Sequence, residues 1–263
     1  MGKKIVFFDI DFTLLGEKDG RLFQMPESAK EGIKLLKQNG NVPVICSGRQ
    51  SAFIKKYLSN IFDSYIALNG THIVYEGKTI FNLEIPQKRV KELMLFFDKH
   101  HFRYIFDGKY NGWAKNVTED KIEAVDKIYG VENFIVYDWK PEDVHANRVE
   151  FIFSDNSDFE QYRKFLPDDM VLTPNPGDLT ADLCFSGSDK ASGIKRFLEH
   201  AGVDKSDAYA FGDGYNDITM MNAVGHGIAM GNAFDEVKRE ADYVTSDIFD
   251  DGVYNGLKHF NLI

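Results

Sequence analysis

Short, wholly apolar runs that break off at a polar residue constrain this chain more than any other feature. Ile5-Val6-Phe7-Phe8 is followed at once by Asp9. Four consecutive apolar residues show no two-residue alternation, so they read as a strand buried on both faces, as in a parallel sheet. Residues 42–45 precede Ser47-Gly48-Arg49, residues 65–68 precede Asn69-Gly70, and residues 208–212 precede Asp213 in the same manner. A helix is expected from about Glu27, with Ala29, Ile33 and Leu36 on one face and Gly40 as its stop. After Ser188 the alternation resumes, with helices over 190–201, 216–223 and 234–241, strands over 208–212, 226–230 and 243–245, and a C-terminal helix. Strand–helix–strand alternation predicts a doubly wound α/β fold with a mainly parallel sheet.

The texture changes in the middle. Residues 71–81 read as a hairpin turning at Glu76-Gly77, with His72 as an ordinary strand residue. From Pro86 to about Asp182 aromatic residues crowd together: Phe96, Phe97, Phe102, Tyr104, Phe106, Tyr110 and Trp113. Helices are expected over 88–100, 118–129 and 158–165, and strands over 102–106, 134–137 and 148–153. This is an α+β pattern inside an α/β one. It predicts a core of residues 1–83 and 185–263 interrupted by an inserted domain of residues 84–184, with the aromatic stretch as that domain's own core.

Composition excludes several classes. The formal charge of −10 opposes binding to nucleic acid or an anionic membrane. Cys46 and Cys184 sit in apolar, strand-like contexts and read as buried thiols of a reducing compartment. The apolar run of the N-terminus ends at Asp9, too early for a signal-peptide core, and Val6 stands where a myristoylation signal needs Ser or Thr. No apolar run approaches bilayer length. The expectation is a cytoplasmic protein, with no signal for an oligomeric state.

The polar residues that end the strands carry the chemistry. Asp9 and Asp11 follow the first strand, Ser47 the second, and Asp213 the strand over 208–212, with Asn216 and Asp217 close behind. Ligands of open α/β sheets bind at the carboxyl ends of the strands, so these residues are expected at one edge. Singly, each has a bland alternative: a strand-ending Asp-x-Asp is commonly a turn or helix cap, and Ser47-Gly48 a turn. Together, several carboxylates in one crevice repel unless a cation joins them. Oxygen ligands without His or Cys select a hard ion, and Mg2+ is the natural choice. Lys190, in the first turn of a helix after Ser188-Asp189, is either a solvated lysine or a cation that neutralises this crevice and grips phosphate.

Asp9–Thr13 (DIDFT), Cys46–Arg49 (CSGR), Asp189–Gly193 (DKASG) and Gly212–Asp217 (GDGYND) resemble, in order and spacing, the four signature motifs of the haloacid dehalogenase superfamily. The insertion between the second and third motifs, and the tail GIAMGNAFDEVKREADYVT, resemble its Cof-type, sugar-phosphatase-like branch. The resemblance implies a catalytic core with an α/β cap, and an enzyme that hydrolyses phosphate monoesters. It implies Asp9 as nucleophile, Asp11 as general acid and base, and Thr13 as support for the loop and water. It further implies Ser47 and Gly48 at the phosphate, Lys190 paired with Asp9 and phosphate, and Mg2+ held by Asp9, the Asp11 carbonyl and Asp213. Asn216 and Asp217 would shape the surroundings of metal and phosphate.

The leading expectation is a Mg2+-dependent phosphatase of a small phosphorylated metabolite, such as a sugar phosphate. A sugar-phosphate mutase of the same architecture and a non-catalytic phosphate-binding regulator are the alternatives. One residue departs from the family pattern, which usually has glycine where this chain has Phe12. The expectation is that Phe12 takes an ordinary negative φ and packs its ring beneath the loop rather than facing the insertion.

Overall fold

Two sheets organise the computed structural model, which describes residues 2–118, 127, 129–153, 156–164, 166–175 and 179–263. In the larger sheet the strands run in the order Tyr243–Val244, His226–Ala229, Ala208–Gly212, Ile5–Phe8, Val42–Cys46, Tyr65–Ala67, His72–Tyr75 and Lys78–Asn82. The first six pair in parallel, and His72–Tyr75 returns antiparallel. Ile5–Phe8 lies in the middle, with Ile5 opposite Ala208 on one side and Val42 on the other. That placement explains its uniform apolarity. Ile5 and Phe7 pack against Ile194 and Phe197 on one face, while Phe8 stacks on Phe211 with ring centroids 5.1 Å apart. The helix Glu27–Gln38 buries Ala29, Ile33 and Leu36, the stripe expected from its spacing. The chain proceeds outward from Ile5–Phe8 to Val42–Cys46 and later returns to its other side at Ala208–Gly212. This reversal of strand order is where doubly wound sheets bind ligands.

The smaller sheet has the order Ile135–Val136, Gly112–Lys115, Tyr104–Gly108, Ala146–Ile152, Thr180–Phe185 and Met170–Pro174. Its pairs are antiparallel except the first. Alternation along Ala146–Ile152 sends Val149 and Phe151 to an apolar core with Phe97, Phe102, Tyr104 and Phe106. Most of the aromatic stretch is therefore core, as expected, although Tyr110 is exposed. Arg148 lies on the opposite face and donates from Nε to Asp107 Oδ2 (2.9 Å) and from a terminal nitrogen to Asp182 Oδ2 (2.5 Å). Asp107 is fully buried there, and burial pushes its carboxyl up to about 6 against the pull of Arg148.

The chain divides into two compact units: Met1–Gly48, Tyr57–Phe81 and Asp189–Ile263 form one, Arg49–Lys56 and Asn82–Ser188 the other. Arg49–Lys56 includes most of the helix Ser51–Leu58, and Gln50 Nε2 donates to Asp107 Oδ2 at 3.0 Å. Neither this helix nor the hairpin of Gly16–Lys18 and Arg21–Gln24 is apparent from the apolar spacing. The expected helix over 118–129 falls largely on residues outside those described, as does the end of the one over 158–165, observed as Asn156–Arg163. Among the described residues no helix is long and apolar enough to cross a membrane. Cys46 and Cys184 are buried free thiols.

Candidate active site

The site lies wholly within the first unit, at the carboxyl ends of its central strands. Asp9 follows Ile5–Phe8 and continues the ladder, its amide donating to the Phe211 carbonyl at 3.0 Å. Asp213 follows Ala208–Gly212. Carboxylate oxygens of Asp9, Asp213 and Asp217 lie within 4.8 Å of one another, and all three residues are buried. Lys190 joins them. Its ammonium donates to Asp9 Oδ1 at 2.6 Å and to Asp217 Oδ1 at 2.5 Å, with the side chain 1% exposed. Lys190 is thus the crevice cation and not a solvated surface lysine.

Local chemistry explains how a lysine is delivered to this depth. Asp189 caps the helix Lys190–Ala201, its carboxylate accepting from the Ser192 amide at 2.7 Å. The helix start lies against the turn Leu68–Gly70, and a Cβ on Gly70 would sit 2.2 Å from the Asp189 carbonyl oxygen. Gly70 also has φ +90°, so glycine is required there on both counts. On the other side, a Cβ on Gly212 would sit 2.5 Å from Asp217. That absent side chain lets Asp217 fold back, its Oδ2 accepting from the amides of Asp213 and Gly214, each at 2.9 Å.

Charge is unbalanced in this pocket of carboxylates. Burial, then the charge of Asp217, pushes the Asp9 carboxyl well above its ordinary value despite Lys190. Asp213 is pushed up to about 7 by burial and by Asp217, against a hydrogen bond from Thr13 Oγ1 at 2.8 Å. For Lys190 burial opposes the charged form, but Asp217 and Asp9 outweigh it and hold the ammonium above the ordinary lysine range. Three buried carboxylates against one ammonium favour a further cation, and an all-oxygen set suits a hard divalent ion.

The remaining expected residues fall into place unevenly. Thr13 is fully buried and anchored on Asp213. Asp11 is half-buried, and its carboxylate is outside the group of three. Ser47 is buried at the end of Val42–Cys46, its amide donating to the Ile66 carbonyl at 2.9 Å. Gly48 faces Asn69, whose Oδ1 a Cβ there would meet at 3.1 Å. Asn216 is exposed just before the helix Asp217–Asn222 and makes no capping bond with its side chain.

Phe12 corrects an expectation. Its φ is +58° and its ring is 59% exposed, so it neither adopts negative φ nor packs beneath the loop. The turn it belongs to imposes this: the Phe12 amide donates to the Leu15 carbonyl at 2.7 Å, and its carbonyl accepts from Asn232 Nδ2 at 2.9 Å. Asn69 and Asn232 went unremarked in the sequence as site neighbours. Their signals were the Asn69-Gly70 turn and the Gly231-Asn232 step within the tail.

The profile of the haloacid dehalogenase-like hydrolases matches residues 6–257. The chain belongs to the haloacid dehalogenase-like hydrolases. The Bacillus subtilis protein YkrA is 29% identical over 273 positions, covering 100% of each chain. The pyridoxal phosphate phosphatase YbhA of Escherichia coli is 24% identical and covers 96% of this chain and 97% of its own. Among solved structures, the subclass IIB sugar phosphatase BT4131 superposes with a TM-score of 0.82 at 29% identity, over 99% of this chain and 100% of that one. These likenesses place the chain in the Cof-type branch, and it is a phosphohydrolase.

Proposed function

We propose that this phosphohydrolase is a Mg2+-dependent phosphatase of small phosphorylated metabolites that works through an aspartyl-phosphate on Asp9. The observation that carries the reading is the buried Lys190 ammonium bridging Asp9 and Asp217 beside Asp213. A lysine so placed keeps one carboxylate poised as a nucleophile and offsets the charge of an incoming phosphoryl group.

In the first displacement an Asp9 oxygen forms a bond to phosphorus as the ester oxygen leaves, and the Asp11 carboxyl gives that oxygen its proton. In the second, the Asp11 carboxylate takes a proton from water, whose oxygen bonds to phosphorus and frees the Asp9 carboxylate. Splitting hydrolysis in this way replaces one difficult step by two easier ones. The Ser47 hydroxyl donates to a phosphate oxygen, with Gly48 allowing close backbone approach. Thr13, held by Asp213, fixes the loop that carries Asp11.

Asp9 and Asp213, with the Asp11 carbonyl, would hold the ion, and Asp217 is near enough to share in that role. Bound there, Mg2+ supplies charge that stabilises the transferring phosphoryl group. Asp217 otherwise serves to orient Lys190 and the Asp213 loop, and Asn216 borders the phosphate side. Residues 1–83 and 185–263 act as the catalytic core, and residues 84–184 as the cap domain that selects the substrate. The likeness to BT4131 and YbhA supports sugar phosphates and pyridoxal phosphate as first substrates to try. Two buried free thiols fit a cytoplasmic setting.

The test is phosphate release from a panel of sugar phosphates, nucleotides and pyridoxal phosphate, with Mg2+ and with a chelator. Turnover of at least one ester, lost on chelation and restored by Mg2+, is expected. Turnover that survives chelation, or none across the panel, overturns the reading.

A further inference from the structure

Phe12 is disfavoured at its position in two ways. The left-handed backbone region suits glycine, because a Cβ crowds the neighbouring carbonyl there. An aromatic ring left 59% exposed also recovers little from burial. The direction of its Cα–Cβ bond is fixed, because both backbone groups of Phe12 are committed, to Leu15 and to Asn232. Asn232 is itself tied down, its Oδ1 accepting from the Ile248 amide at 2.8 Å. A rigid turn therefore displays an apolar ring beside Asp11.

A second loop of the same unit shows the same habit. Tyr215, two residues after Asp213, stacks on Phe234 with centroids 4.7 Å apart and an interplanar angle of 20°. Both rings are exposed, at 42% and 49%. The Phe234 amide donates to the Asp213 carbonyl at 3.3 Å, so this pair is fixed to the loop that presents Asp213. The loops after two adjacent strands thus each join an acidic residue of the site to exposed aromatic surface. The hydrogen bonds to Leu15 and Asn232 hold the strained backbone of Phe12 in place, but they do not account for an exposed aromatic ring there, and strain at a loop that carries a site residue points to use.

We propose that Phe12 is a specificity-determining residue, whose ring stacks on a planar ring in the leaving group of the phosphate ester. The proposal rests on the phosphatase reading above. It gives the site a preference among esters: the phosphoryl chemistry is common to all, while a flat leaving group gains a stacking surface next to Asp11. An open-chain polyol gains none.

The measurement is kcat/KM for p-nitrophenyl phosphate and for glycerol 2-phosphate, in the wild type and in Phe12→Gly and Phe12→Tyr. A stacking contact of ordinary strength sets the expectation that the aryl-to-glycerol ratio falls roughly fivefold in Phe12→Gly, mainly through KM. Phe12→Tyr keeps the ratio. Thermal melting of Phe12→Gly rises, since glycine relieves the backbone. A ratio in Phe12→Gly within about twofold of the wild type overturns the proposal. So does a lower melting temperature, which would make the ring a structural element. Wild-type protein that hydrolyses neither these two esters nor any ester of the metabolite panel removes the phosphatase reading itself, whereas hydrolysis with an unmoved ratio removes only the role of Phe12.

Discussion

Replacing Lys190 by methionine keeps the shape of the side chain and removes its charge. Lys190 is 1% exposed, Asp9 7% and Asp217 fully buried, so solvent screens the cluster little. Removing one partner of such a buried pair costs roughly 3–5 kcal/mol, because the others are left uncompensated. For a chain of this size that is a fall in Tm of about 6–20 °C. The sign of its pH dependence follows from the carboxylates. The Lys190 pKa is raised, so the stability it contributes is fully present below the ordinary lysine value and does not vary near neutrality. Asp9 and Asp213 also have raised values, Asp213 about 7, so their folded-state cost is absent at low pH and grows as pH rises through the folded value. Without Lys190 this cost increases, and the deficit in Tm should be larger at pH 8 than at pH 5.5. Catalysis is affected separately. Loss of one preorganised group facing the developing charge lowers kcat by roughly 10²–10³-fold. Scanning calorimetry at the two pH values, with steady-state kinetics on any hydrolysed ester, reads both effects. A lower Tm with unchanged kcat would show a structural lysine and refute the catalytic part of the reasoning. No change in either would contradict the buried bridge itself.

Two further outcomes follow from the same geometry. Mg2+ should raise Tm more at pH 8 than at pH 5.5, because protons compete for carboxylates such as Asp213 with its value near 7; an equal shift at both pH values would argue against a carboxylate site. Gly70→Ala should lower both Tm and kcat, since the added Cβ falls 2.2 Å from the Asp189 carbonyl and displaces the start of the helix that delivers Lys190; wild-type melting and kinetics would refute this close approach.

Much of this arrangement is legible in the sequence because burial writes itself into apolar runs. Ile5–Phe8 reads as a strand buried on both faces, and such a strand at the centre of the sheet delivers Asp9 to the switch point. Lys190 is ambiguous in the sequence for a physical reason: its helix start looks the same exposed or buried, and the approach of Gly70 and Gly193 draws it in. Asn216 and Asp217 are adjacent letters with opposite fates: Asp217 is buried in the room that Gly212 leaves, while Asn216 is exposed. The grouping of Arg49–Lys56 with the second unit had no local signal, since it depends on the distant partner of Gln50. The conformation of Phe12 departs from expectation for a related reason. Residue type argues for negative φ, but the hydrogen bonds to Leu15 and Asn232 decide the turn, and they come from elsewhere in the chain.

The proposed mechanism forms a covalent bond between phosphorus and Asp9, which can be sought directly. Enzyme mixed with a hydrolysed ester is quenched in the steady state, reduced with borohydride, digested and examined by peptide mass spectrometry. Borohydride reduces an acyl phosphate to an alcohol, so homoserine is expected in place of Asp9, absent without substrate and absent in Asp9→Asn. Unmodified Asp9 during rapid turnover, or reduction at another carboxylate, would contradict the central claim.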